Sequence, residues 1–168
     1  MCLELFSGCE ILSKALRRAG FAVISFDITR HWSEDLLLPA VQSLVKGWTT
    51  SGCVLAIWLG TPCTTWSIAR RTGWGATALR SARHPMGVPG LDAFNAAKLQ
   101  IGNATYAFTC AVIRLCIQQQ VPCVLENPLT SRMWSAPALS KLTKVAVCSQ
   151  IRLDQCQFGA AWENRSTN

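Results

Sequence analysis

The run Cys-Val-Leu-Ala-Ile-Trp-Leu at 53–59 is apolar at every position. It reads as a strand, and successive side chains of a strand point to opposite faces of the sheet. A strand can be apolar throughout when both faces are covered, as in a parallel sheet sandwiched between helices. The neighbouring segments supply such helices. EILSKALRRAG sets Ile11, Leu12, Ala15, Leu16 and Ala19 at helical spacing, with Gly20 as a stop. DLLLPAVQSLVKGW begins extended and turns helical after Pro39, whose fixed dihedral suits a first turn. NATYAFTCAVIRLCIQQQ at 103–120 and PALSKL at 137–142 read as further helices. CLELF at 2–6, FAVISFDI at 21–28, VPCVLENP at 121–128 and KVAVCSQIRL at 144–153 read as further strands. Residues 64–102 are rich in Gly, Pro and Arg with no period, and read as a long basic loop in contact with substrate. Strands alternating with helices predict a doubly wound, mostly parallel α/β sheet with helices on both faces, Rossmann-like, in one domain over 1–168.

Composition narrows the partners. Half of the 168 residues are apolar and 15% are charged, as in a globular chain. No apolar run nears the roughly 18 residues of a membrane span, and the N-terminal segment lacks the pattern of a signal peptide. The expectation is an intracellular protein, nuclear or cytoplasmic, with no membrane association. The nine cysteines are scattered and form no C-x-x-C pair, so neither a disulfide scaffold nor a metal site is expected. A net charge of +7 points to a polyanionic partner. Arg70, Arg71, Arg80 and Arg83 crowd into one segment, with His84 beside them.

In a doubly wound sheet, ligands bind at the carboxyl ends of the strands. There this sequence places Phe6-Ser7-Gly8, Asp27, Pro62-Cys63 and Glu126-Asn127-Pro128. A single glycine after the first strand, without the three of a dinucleotide fingerprint, suits an adenosine ligand that carries no diphosphate. S-adenosylmethionine is such a ligand. Phe6 is positioned to meet a flat ring, Asp27 to accept from ribose hydroxyls, and Asp35 to contact the adenine amine.

LELFSG with AGFAVISFDI, GTPCTTWS and VLENPLTSRMW, in this order, resemble the cofactor, cysteine and glutamate motifs of cytosine-5 DNA methyltransferases. The likeness is greatest to divergent, compact members of that family and covers roughly positions 3 to 165. It implies a class I methyltransferase fold, S-adenosylmethionine as cofactor, and a monomer acting on double-stranded DNA whose target base is flipped out. Cys63 is then the nucleophile that adds to the sixth carbon of cytosine, making the fifth carbon reactive enough to take a methyl group. Glu126 holds the ring, and Asn127 and Pro128 shape the pocket. Pro62 joins Phe6, Ser7, Gly8, Asp27 and Asp35 around the cofactor, and the four arginines meet phosphates. Arg165 is the nearest match to the last basic catalytic motif, although the Gln-x-Arg-x-Arg spacing is not reproduced. The family's closing strand, target-recognition region and C-terminal helix have no counterpart here. Two functions are therefore expected to compete: methyl transfer to DNA cytosine, and nucleic-acid binding by an inactive or truncated module of the same fold.

Overall fold

The structure is a computed structural model that describes residues 1–68, 77–144 and 148–153. Strands Cys2–Leu5 (β1), Val23–Phe26 (β2), Ala56–Leu59 (β3) and Cys123–Leu125 (β4) form one parallel sheet in the order β2-β1-β3-β4. Helices Ile11–Arg18 (α1), Pro39–Thr50 (α2), Ala93–Gln119 (α3) and Pro137–Leu142 (α4) complete the α/β architecture. No helix among the described residues is long and apolar enough to cross a membrane.

Register decides which residues share a face. Leu5 lies opposite Phe26 and Leu59, and Leu59 opposite Leu125. With Leu3 and Ile57 this row makes the buried face, on which Leu3, Leu5, Ile57 and Leu59 are at most 1% exposed. Trp48 of α2 packs on Phe26 with ring centroids 6.1 Å apart, and α3 packs beside α2. The other face carries Glu4, Ser25, Trp58 and Val124. The buried Glu4 carboxylate accepts from the Ser13 backbone N–H at 2.8 Å and from the Ser13 hydroxyl, which sets α1 on that side. Val124 is nevertheless 46% exposed and Trp58 half-buried. The apolar run at 53–59 predicts two covered faces. Among the described residues only the face under α2 and α3 is fully covered.

Chain direction across the sheet reverses between β1 and β3, because β2 lies on one side of β1 and β3 on the other. This is the switch point at which doubly wound sheets open a crevice at their carboxyl edge.

Two segments differ from expectation. The long loop is shorter than predicted, because α3 starts at Ala93, ten positions before the expected helix. Asp92 caps it, its carboxylate accepting from the Asn95 backbone at 2.9 Å and side chain at 2.6 Å. Of the expected strand at 144–153, residues 145–147 lie outside the described residues and 148–153 form no strand.

Candidate functional site

Each motif follows a strand, and backbone bonds across the sheet gather the motifs at its carboxyl edge. Gly60 N donates to Leu5 O at 2.9 Å, joining the end of β3 to the end of β1. A Cβ on Gly60 would stand 2.8 Å from the Phe6 carbonyl oxygen, so the close approach requires glycine. Glu126 N donates to Leu59 O at 3.0 Å and Asn127 Nδ2 to Thr61 O at 2.8 Å. Arg132 N donates to Trp66 O at 3.0 Å. These three bonds tie the loop after β3 to the loop after β4 along its length. Pro62 and Glu126 face solvent, Cys63 is half-buried and Asn127 is buried.

Cys63 sits at the head of a turn whose closure it provides: the N–H groups of Trp66 and Ser67 donate to its carbonyl at 2.8 and 2.9 Å. Thr61 hydroxyl meets that of Thr109 at 2.8 Å, anchoring the loop to α3. Beyond Pro128 the chain turns sharply. Ser131 N and Trp134 Nε1 both donate to the Pro128 carbonyl, each at 2.8 Å. Two buried polar atoms here meet no protein partner, Asn127 Oδ1 and Trp66 Nε1.

The turn after β1 is conformationally unusual. Phe6 has φ 60°, Gly8 φ 50° and Glu10 φ 57°. Left-handed non-glycine residues are uncommon and cluster at functional sites. Space in front of Gly8 is open, since a Cβ there would meet nothing within 4 Å. Asp27 holds this turn: Oδ2 accepts from Gly8 N at 2.7 Å, while Oδ1 accepts from Thr29 N at 2.8 Å and Thr29 Oγ1 at 2.6 Å. Burial pushes the Asp27 carboxyl up, but the bonds from Thr29 and Gly8 and the charge of Arg30 outweigh it and hold it below the usual value. Arg30 itself bridges Glu10 and Glu34, tying the turn to β2. Ile28 and Trp32, just beyond Asp27, are 58% and 72% exposed. The Phe6 ring meets Phe108 of α3 edge-on at 6.3 Å, and Asp35 accepts from Leu37 N at 2.9 Å.

Sequence reasoning missed two features. One is a groove between α2 and α3, made of adjoining cavities of about 280 and 420 Å³ that share Gln42, Phe108 and Ala111. Leu37 lines the larger cavity, so the groove runs towards the partners of Phe6 and Asp35. The other is Arg80, expected on the surface as a phosphate contact. It is 3% exposed and bonded inward to Thr65, Pro85 and Asn103, which removes it from the phosphate-facing set. Arg83 is exposed as expected. Arg70, Arg71 and Arg165 lie outside the described residues.

Compared with known proteins, the chain matches no family model, no curated protein and no solved structure.

Proposed function

We propose that this chain transfers a methyl group from S-adenosylmethionine to the fifth carbon of a flipped-out cytosine in DNA. The observation that carries the reading is the joining of two loops at the switch point: Glu126 N to Leu59 O and Asn127 Nδ2 to Thr61 O. They set a half-buried thiol and an exposed carboxylate on neighbouring strand ends.

The residues after β1 and β2 fit the cofactor. The open space before Gly8 admits close approach of a ligand to backbone, Asp27 Oδ2 keeps acceptor capacity beyond its bond to Gly8, and Ile28 and Trp32 offer apolar surface for a flat ring. When bound there, S-adenosylmethionine supplies an electrophilic methyl group.

The chain's own residues do the rest. The Cys63 sulfur, as thiolate, bonds to the sixth carbon of the base, and electron density moves to the fifth carbon. Glu126 holds the ring nitrogen and amino group while that charge develops. After methylation the fifth carbon loses its proton to solvent water, the freed electron pair restores the double bond to the sixth carbon, and the bond to sulfur breaks to regenerate the thiolate. Asn127 takes no proton; it keeps the two loops at fixed separation.

The test is DNA carrying 5-fluorocytosine, incubated with S-adenosylmethionine. Because fluorine replaces the proton that must leave the fifth carbon and cannot depart as a cation, mass spectrometry should find a covalent DNA adduct on Cys63, absent from Cys63→Ser. A preparation that binds both DNA and S-adenosylmethionine yet forms no adduct would overturn the enzyme and leave the nucleic-acid-binding module in its place.

A further inference from the structure

Arg80 has no part in the chemistry above, yet it is the most completely enclosed cation described. At 3% exposure it has lost its water, and among the described residues no carboxylate pairs with it. Stripping a guanidinium of solvent without a counter-charge is strongly unfavourable. Deprotonation offers no escape, since burial pulls the group down only to about 10 and it stays charged at neutral pH. The surroundings must therefore offset the cost by geometry.

Nε donates to the Thr65 carbonyl at 3.1 Å and Nη2 to Thr65 Oγ1 at 3.0 Å. Nη1 donates to Asn103 Oδ1 at 2.7 Å and to the Pro85 carbonyl at 2.9 Å. The guanidinium carbon stands 3.4 Å from the Trp66 ring centroid. Helix α3 makes room for the group: a Cβ on Gly102 would fall 2.4 Å from Thr65 Oγ1 and 3.1 Å from Arg80 Nη2. One planar fork thus joins α3, the segment before it, and the two residues Thr65 and Trp66. Those two belong to the turn closed on the Cys63 carbonyl. Holding them holds Cys63.

We propose that Arg80 is a positioning residue for Cys63, its guanidinium clamping the Thr65–Trp66 turn to α3 and so fixing the thiol beside the end of β4. The inference rests on Cys63 being the nucleophile of the proposed reaction. Lysine keeps the charge but cannot supply donors in several fixed directions at once, so Arg80→Lys isolates the geometry of the fork.

The experiment follows the thiol directly. Wild type and Arg80→Lys are treated with iodoacetamide, and alkylation of Cys63 is measured by mass spectrometry relative to the exposed Cys53 of the same molecule. Releasing the turn should raise the Cys63-to-Cys53 ratio and lower the turnover number for DNA methylation by about tenfold or more, because small misplacements of a reacting group carry large penalties. The KM for S-adenosylmethionine should stay unchanged. A purely structural arginine would lower the melting temperature and leave the alkylation ratio where it was, and that result in a folded Arg80→Lys overturns the clamp. If Arg80→Lys does not fold, Thr65→Val, which removes the Oγ1 acceptor alone, decides in the same way. A wild type without methyl transfer defeats the proposed reaction, while the alkylation ratio still judges the clamp.

Discussion

Asn127 Nδ2 donates to the Thr61 carbonyl at 2.8 Å across 66 positions of sequence, while its own Oδ1 is buried without a protein partner. The bond links two loops, so losing it has a local and a distant effect. Asn127→Ala should cost about 1–3 kcal/mol of stability, the usual result of leaving a buried carbonyl unpaired. Asn127→Asp should cost more, because a carboxylate oxygen then faces the Thr61 carbonyl with no donor between them. Urea unfolding of the two variants checks the order. Losses near zero in both would show that the bond contributes little, and equal losses that the carboxylate adds no further cost.

Gly60 and Gly47 make a second, paired test. Gly60→Ala forces a Cβ to within 2.8 Å of the Phe6 carbonyl oxygen, which is backbone in a tight turn and cannot swing away. It should lower the melting temperature and disturb Phe6 and Gly8. Gly47 lies within α2 with nothing inside 4 Å of its missing Cβ. Gly47→Ala should raise stability by about 0.5–1 kcal/mol, since alanine costs less conformational entropy in a helix. Thermal denaturation of both variants settles the pair.

Asp27 couples the site to pH. Its carboxyl lies below the usual value in the folded state, so the stability it contributes is present above the unfolded pKa of about 4 and is lost as pH falls through the folded value. Asp27→Asn should flatten the decline in stability below about pH 4. Asp27→Ala should also weaken S-adenosylmethionine binding by about 1–3 kcal/mol, the scale of an unpaired buried polar group. Calorimetry showing unchanged affinity in the folded variant would take Asp27 out of the proposed cofactor site.

Salt dependence separates the arginines. Exposed Arg83 can reach a phosphate, whereas enclosed Arg80 cannot without breaking its internal bonds. Arg83→Ala should reduce the slope of log affinity for duplex DNA against log salt by about one unit. A slope that does not move leaves Arg83 as plain surface charge.

Much of this was legible in the sequence. Each of the four strands and four helices follows an apolar run or helical spacing that can be read directly, only the start of α3 being missed, and the strand-end motifs fall where a parallel sheet puts its ligands. The early start of α3 was only partly legible, for a physical reason. Gly102 reads as a helix breaker, yet it lies inside the helix, where a Cβ would collide with Thr65 Oγ1 and crowd Arg80 Nη2. Arg80 misleads in the same way. An arginine in a Gly- and Pro-rich stretch looks like surface charge, and its burial depends on Thr65 and Asn103, distant in sequence on either side. Local pattern cannot report contacts of that range. The Asp92 cap, by contrast, was a readable signal for the start of the helix.

Tyr106 is the only tyrosine in the chain, which makes it a clean probe of this same region. Its hydroxyl oxygen accepts from Leu139 N at 2.9 Å at the start of α4, and its ring lies 4.9 Å from that of Trp66. Burial pushes its phenol up to about 12; Cys110 adds to the rise and the bond from Leu139 opposes it. A raised value favours the protonated form in the folded state. The stability it contributes is therefore complete below the unfolded pKa near 10 and is lost as pH rises through the folded value. Ultraviolet titration of the native protein should show tyrosinate absorbance appearing near pH 12. In urea it should appear about two units lower, at the ordinary phenol value. Tyr106→Phe should abolish the signal and cost about 1–3 kcal/mol by leaving Leu139 N unpaired. A native titration at the ordinary value would mean that Tyr106 is in water, and that the packing of Trp66 beneath the Cys63 turn is not as described.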